Sequence, residues 1–243
     1  MERYNRNILI DGFGMDGQQK LQKSSVLVIG AGGLGAPVLY YLAAAGIGTL
    51  GIIDNDVVDI TNLQRQILHY TTDVGKHKVE SAKEKLNSLN PGIQVITYKE
   101  RFTEENAGEI IRNYDFIVDC CDNYETKFLI NDVCTGQRKP FSHGAVIALR
   151  GEVMTYVPGN ACYRCIFDNA PEDGTVPTSK EAGILGPVAG VIGSIQATET
   201  IKYLIGIGEL ILNRILIFDG RTMTFQTLKS GIRNDCHCMG SFL

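Results

Sequence analysis

The chain has 243 residues, 44% of them hydrophobic, and a formal net charge of −4. That length carries one large α/β domain with an ample core. The acidic balance and the lack of any Lys/Arg run argue against nucleic acid or an anionic membrane as the main partner. No stretch approaches the roughly 18 consecutive apolar residues of a membrane helix. The charged start, residues 1–7, leads into no apolar secretory core, so a cytoplasmic location is expected.

Residues 1–25 read as a short helix, a loop around Asp11, Gly12 and Gly14, and a second helix. Residues 26–29 are β-formers without alternation, the mark of a strand buried on both faces. The glycines Gly30, Gly32, Gly33 and Gly35 follow, and residues 38–45 continue as a helix that Gly46 and Gly48 end. Residues 50–53 form the next strand, closed by Asp54, which completes a βαβ unit. Residues 75–90 read as an amphipathic helix with Val79, Ala82, Leu86 and Leu89 on one face, stopped by Asn90, Pro91 and Gly92.

A strand is expected at 93–98, a helix at 104–113, a buried strand at 116–118 and a helix at 125–136. Strands at 140–148, 151–157, 214–218 and 222–228 follow, with one long helix at 188–205. The chain is therefore expected to be α/β. A Rossmann-like, doubly wound half, 1–139, continues into a mixed or antiparallel half, 140–243. The stretch 168–186, rich in Pro, Gly and Ser, reads as a mobile loop.

The glycine run has a mechanism. Gly30 permits a tight turn, Gly32 and its neighbour Gly33 let backbone approach a phosphate, and Gly35 lets helix and strand pack closely. The helix N-terminus adds a favourable field for an anion. Asp54, at the end of the second strand, is where an acid takes ribose hydroxyls. Up to this point NAD and ATP fit equally well.

The segment 59–66 separates them, because it sets Arg65 just beyond the ribose acid, and Lys78 opens the next helix. A triphosphate needs such cations, since charge builds on the leaving pyrophosphate. Asp122, after the fourth strand, is suited to hold a magnesium ion against phosphate oxygens. The competing view of Arg65 and Lys78 is an ordinary solvated surface.

The seven cysteines are Cys120, Cys121, Cys134, Cys162, Cys165, Cys236 and Cys238. An odd count does not suit a disulfide framework. The pairs Cys162/Cys165 and Cys236/Cys238 look like metal ligands instead. Cys120, Cys121 and Cys134 are expected in the core.

Ordered along nearly the whole chain are Arg3-Tyr4-Asn5-Arg6, the Gly30–Gly35 loop, Asp54, Asn62-Leu63-Gln64-Arg65-Gln66, Lys78, Asp122-Asn123, Cys162-Tyr163-Arg164-Cys165 and Gly193-Ser194-Ile195-Gln196. With these motifs the chain resembles the ThiF/MoeB/HesA adenylyltransferases, relatives of ubiquitin-activating enzymes.

The resemblance implies ATP bound as a magnesium complex and attacked by the C-terminal glycine carboxylate of a ubiquitin-like sulfur-carrier protein ending in Gly-Gly. Carrier acyl-adenylate and pyrophosphate result. It implies that Asp54 binds ribose, with Asp56, Thr61, Asn62, Gln66 and Asn123 also at the nucleotide. Arg65 and Lys78 would meet phosphates, and Asp122 would serve magnesium and the reacting centre. Arg6 would reach the ATP of the other subunit of a homodimer. A carboxylate nucleophile is already ionised, so no general base is required. His69, His77, His143 and His237 are accordingly read as structural or surface residues.

Two departures from the family pattern stand out. The family places a second Cys-x-x-Cys near the C-terminus, whereas here it is Cys236-His237-Cys238. Structural zinc on Cys162, Cys165, Cys236 and Cys238 is expected, with His237 as an alternative ligand. Many relatives also carry a cysteine where this chain has Ser179, which can form neither a persulfide nor a disulfide. The chain is therefore expected to stop at the acyl-adenylate. It ends five residues after Cys238, and no sulfurtransferase domain is expected.

Other readings are an NAD-dependent oxidoreductase, which leaves Arg65, Lys78 and the cysteine pairs unexplained, a non-catalytic scaffold, and a relative adenylating another carboxylate, such as one on modified tRNA. The thiamine-pathway and molybdopterin-pathway carriers are both candidates, with a lean by resemblance to the thiamine branch.

Overall fold

The computed structural model describes residues 2–172, 175, 178–236 and 238. Eight strands form one sheet in the order β3-β2-β1-β4-β5-β6-β7-β8. They are β1 (Ser25–Ile29), β2 (Thr49–Ile53), β3 (Gln94–Tyr98), β4 (Phe116–Asp119), β5 (Phe141–Ile147), β6 (Arg150–Tyr156), β7 (Arg214–Asp219) and β8 (Thr224–Lys229). The first five pair in parallel, and β5 to β8 pair antiparallel. The sheet runs unbroken across the change from one pattern to the other, as the α/β, part-antiparallel expectation requires.

The helices are α1 (Asn5–Ile8), α2 (Gly14–Lys23), α3 (Gly35–Ala45), α4 (Lys78–Leu89), α5 (Glu104–Arg112), α6 (Tyr124–Gly136), α7 (Tyr163–Ile166), α8 (Ser179–Ala182) and α9 (Gly186–Ile205). Successive strand residues point to opposite faces. Val26 and Val28 of β1 join a core with α2, α3, α4 and α9, while Leu27 and Ile29 join a second core with α5, α6 and α7. This two-sided burial explains the unalternated apolar run at β1. Among the described residues, no helix is long and apolar enough to cross a membrane.

Several boundaries differ from expectation for local reasons. Helix α4 starts at Lys78 rather than 75, because Gly75 is left-handed at φ 87° and His77 bridges to Val57. Leu89 is 36% exposed, so the buried stripe of α4 stops at Leu86. Helix α9 starts two residues early, since a proline fits its first turn. Strand β8 starts two residues late, after Met223 in the left-handed region at φ 57°. The stretch 168–186, expected to be a mobile loop, holds the one-turn helix α8, and residues 173, 174, 176 and 177 lie outside the described residues.

Candidate active site and metal centre

The strand order turns back between β1 and β4, and a ligand crevice is expected outside the C-terminal strand ends at such a point. A cavity of about 790 Å³ lies there. Of the sequence-predicted residues, Gly30, Gly32, Gly33, Asp54, Asp56, Arg65, Gln66, Lys78, Asp122 and Asn123 all line it.

The floor is the glycine loop between β1 and α3. Gly30 adopts φ 101°, which a side chain opposes. A Cβ on Gly35 would stand 2.1 Å from the Gly30 carbonyl oxygen, so Gly35 serves helix–strand packing and does not face the cavity. Gly32 and Gly33 have ordinary clearance, with nearest atoms at 3.5 Å. Their bare backbone therefore lies open beside the N-terminus of α3.

Asp54 ties the second strand to this loop. Its Oδ2 accepts from the Ala31 N–H at 2.8 Å, and its Oδ1 accepts from the Asp56 N–H at 2.8 Å. Burial pushes the Asp54 carboxyl above its usual range, against the pull of Lys78 and these two amides. His69 holds the loop from below, with Nε2 2.9 Å from the Ala31 oxygen and Nδ1 2.8 Å from the Ser81 hydroxyl. Burial lowers its pKa, favouring the neutral ring. His69 is thus structural, as expected.

Lys78 is only 7% exposed at its side chain, and its Nζ donates to Asp56 Oδ2 at 2.7 Å. The solvated-surface alternative therefore fails for Lys78. Arg65 lays its stem over Gly33, with Cγ 3.5 Å from the point a Cβ on that glycine would occupy, and its Nη1 donates to the Thr61 carbonyl at 3.1 Å.

Thr61 and Asn62 do not line the cavity. The Thr61 amide and hydroxyl both donate to Asp59 Oδ1, and Asn62 Oδ1 accepts from the Asp59 amide. Together they shape the turn that presents Arg65 and Gln66. Arg6 is exposed on α1 and is absent from the cavity of a single chain.

A buried network that sequence reading missed lies under the Asp122 loop. Asp119 and Lys127 are 1% and 5% exposed and stand 3.1 Å apart. Lys127 also donates to the Gly144 carbonyl at 2.8 Å. The Cys121 amide donates to Asp119 Oδ1 at 3.0 Å, and His143 Nδ1 lies 2.7 Å from Asp119 Oδ2. Burial would raise the Asp119 carboxyl, but Lys127, His143 and the Cys121 amide overcome it and hold it near about 2. The sequence signal was weak, since Lys127 reads as one more charge on an amphipathic helix.

At the other end of the sheet, the thiols of Cys162, Cys165, Cys236 and Cys238 lie within 4.8 Å of one another. Individual sulfur separations are 3.9 Å for Cys162–Cys165, 3.4 Å for Cys162–Cys236, 3.5 Å for Cys165–Cys238 and 3.3 Å for Cys236–Cys238. Four sulfurs at about 2.3 Å from a tetrahedral zinc stand about 3.8 Å apart, so this donor set fits the metal. The one-residue spacing of the second pair does not stop both thiols converging. His237, the alternative ligand, lies outside the described residues. Burial and the adjacent Cys236 thiol push the Cys162 thiol well up, so a thiolate there needs a cation beside it. The three other cysteines are free, with Cys120 and Cys134 buried and Cys121 partly so.

Comparison with known proteins agrees with this geometry. Residues 4–239 match the family model described as ThiF family. The SAMP-activating enzyme E1 of Haloferax volcanii is 44% identical over 240 residues, covering 99% of this chain and 89% of that protein. The adenylyltransferase and sulfurtransferase MOCS3 of Aedes aegypti is 46% identical over 228 residues, covering 93% of this chain and 52% of that protein. The chain thus spans about half the length of that MOCS3 relative.

Among solved structures, E. coli MccB with MccA-N7isoASN superposes with a TM-score of 0.88 at 26% identity, covering 98% of this chain and 74% of that one. E. coli MccB with ATP gives 0.87 at 26% identity, covering 98% and 73%. The chain belongs to the ThiF family and is an ATP-dependent adenylyltransferase of that family.

Proposed function

We propose that this chain adenylylates the C-terminal glycine carboxylate of a ubiquitin-like sulfur-carrier protein, releasing pyrophosphate. The observation that carries this reading is one cavity at the strand switch that gathers the bare Gly32–Gly33 backbone, Arg65, buried Lys78 and Asp122. Two cations facing a phosphate cradle suit a triphosphate whose leaving group gains charge. The named relatives include a SAMP-activating enzyme and an adenylyltransferase.

In this reading the loop and the α3 N-terminus seat the phosphates, Asp54 takes the ribose, and Arg65 and Lys78 neutralise the departing pyrophosphate. Asp122 is the residue that would hold magnesium, which supplies positive charge to the phosphates when bound. The carrier carboxylate is ionised and needs alignment more than activation.

Residues 1–139 form the nucleotide half and 140–243 the carrier half of the same unit. The chain works as a homodimer in the cytoplasm, with Arg6 reaching the partner's nucleotide. The four-cysteine cluster holds structural zinc. Ser179 leaves no thiol in the loop before α9, so the reaction stops at the acyl-adenylate. A covalent, thiol-sensitive carrier–enzyme adduct would refute that last point.

The deciding experiment is ATP–pyrophosphate exchange with the thiamine-pathway and the molybdopterin-pathway carrier, native chain against Asp122→Ala. Exchange that needs one carrier and disappears in Asp122→Ala supports the reaction and names the pathway. ATP binding without exchange, with either carrier, moves the reading to another carboxylate substrate or to a scaffold.

A further inference from the structure

The motif Gly193-Ser194-Ile195-Gln196 places none of its residues in the cavity, yet the helix that carries it touches both of the loops that line it. Ala189, Gly193, Gln196 and Thr200 of α9 recur at steps of three or four residues, so they share one face of that helix. All four are buried. Ala189 packs on the glycine loop, its Cβ 3.5 Å from the point a Cβ on Gly33 would occupy. Gly193 lies against the start of α3, where a Cβ would stand 2.7 Å from the Leu34 carbonyl oxygen and 2.5 Å from Pro37 Cγ. A larger residue there would push the two helices apart.

Gln196, one turn further on, reaches the other loop. Its Nε2 donates to the Asp119 carbonyl at 2.8 Å and to the Ser142 carbonyl at 3.3 Å. Its Oε1 accepts from the Cys120 thiol at 3.9 Å. Two carbonyl acceptors need the NH2 end and a thiol donor needs the oxygen, so one orientation of the amide satisfies all three groups. A Cβ on Gly144 would stand 2.6 Å from Gln196 Cδ and Oε1, so the bare β5 backbone is what gives the amide its room.

Asp119 and Cys120 lead directly to Asp122, and they are also where the two loops meet. The Cys120 amide donates to the Ile29 carbonyl at 2.9 Å, and a Cβ on Gly30 would stand 2.8 Å from the Cys120 carbonyl oxygen. Lys127 and His143 tie the Asp119 side chain from the α6 and β5 side. Gln196 ties the Asp119 backbone from the α9 side. A buried carbonyl stripped of its donor is costly, so the end of β4 stays with α9.

We infer that Gln196 is a positioning residue for the adenylation. Through the Asp119 carbonyl it sets the Asp122 loop at a fixed span from the glycine loop, with α9 as the bar between them. It touches no substrate and acts through Asp122. The inference deepens the proposed adenylation and rests on it for the role of Asp122. Attack that expels pyrophosphate needs close alignment, and an error of about 1 Å costs about 10²-fold in rate. Loosening the Asp122 loop therefore lowers the rate of the bound complex more than the affinity for ATP, which the glycine loop supplies from the other side.

The test uses the full chain and perturbs the amide from two sides. Gln196→Met keeps the side-chain length and removes both donors. Gly144→Ala leaves Gln196 itself intact and crowds its amide off the two carbonyls. Thr200→Val is the control, because Thr200 is buried on the same face and its hydroxyl donates to the Gln196 carbonyl of its own helix at 2.8 Å. In carrier-dependent pyrophosphate exchange, well below each melting temperature, Gln196→Met and Gly144→Ala are expected to lower kcat by about 10- to 100-fold, with KM for ATP within about twofold of native. Thr200→Val is expected to keep the native kcat. A native kcat in Gln196→Met overturns the inference, and so does a KM for ATP that rises as far as kcat falls.

Deuterium uptake read by mass spectrometry is free of the reaction. In Gln196→Met the peptide spanning 118–126 is expected to take up deuterium about tenfold faster, while the peptide spanning 30–36 keeps its native rate. Unchanged uptake at 118–126 overturns the tie. If neither carrier supports pyrophosphate exchange in the native chain, adenylation of those carriers fails, and uptake at 118–126 alone decides whether Gln196 holds the Asp122 loop.

Discussion

The absent Cβ of Gly35 and the carbonyl oxygen of Gly30 share one space, because a methyl built at Gly35 would sit 2.1 Å from that oxygen. The obstacle is backbone, so it cannot swing aside as a side chain would. Gly35→Ala must push the loop or the start of α3 out of place. The expected outcome is loss of ATP binding by at least tenfold in calorimetry, with a destabilisation of a few kcal/mol, about the cost of overpacking. Gly33→Ala is the control, since its nearest neighbours stand at an ordinary 3.5 Å. It should fold as stably as the native chain. Equal ATP affinity in Gly35→Ala would show that the loop conformation is not what binds phosphate.

Lys78→Met and Arg65→Met should separate the two cations. Lys78 is buried against Asp56, which is itself 61% exposed. Removing the amine therefore leaves an acid that water can solvate, and stability should change by less than about 1 kcal/mol. Exchange activity should nevertheless fall by about 10² to 10³, the scale of losing one charge at a developing anion. Arg65→Met should cost less at the ATP-binding step and show mainly in kcat, if Arg65 acts on departing pyrophosphate. Steady-state kinetics on purified variants with unchanged melting temperature checks both.

The parallel half of the fold was legible because local signals agreed there. The β1 run, the glycines and Asp54 each have a reason independent of the others, and all pointed to one βαβ unit. The cavity lining was legible for the same reason. Lys127 and His143 were not, because their meaning lies in pairing with Asp119 across α6 and β5, and no local pattern encodes it. A lysine on an amphipathic helix looks solvated when read along the chain. Thr61 and Asn62, which the resemblance sets at the nucleotide, do not line the cavity, and their polar groups close the Asp59 turn.

The convergence of Cys162, Cys165, Cys236 and Cys238 predicts close to one zinc per chain by elemental analysis of protein purified without chelators. Cys165→Ser should lower the zinc content and the melting temperature together, because metal binding free energy is folding free energy at such a site. The cluster lines no part of the nucleotide cavity, so the folded fraction of Cys165→Ser should keep native ATP affinity. A stoichiometric zinc content in Cys165→Ser would exclude that thiol as a ligand.

The buried Asp119 sets an acid limit on stability. Its folded pKa, near about 2, lies below the unfolded value of about 3.9. The carboxylate therefore stabilises the fold fully above about pH 4, and that contribution disappears as pH falls through about 4 toward about 2. The difference amounts to about 2–3 kcal/mol. Denaturant midpoints measured at several pH values across this window should show it as a steep decline.

Asp119→Asn should flatten the decline while lowering stability at neutral pH by about 3–5 kcal/mol, because Lys127 is left buried without its counter-ion. Asp119→Asn combined with Lys127→Met should recover much of that loss, since the uncompensated charge is gone. If the double variant is no more stable than the single one, the cost lies in the lost Cys121 and His143 hydrogen bonds. Asp119 would then matter chiefly as the anchor of the loop that carries Asp122.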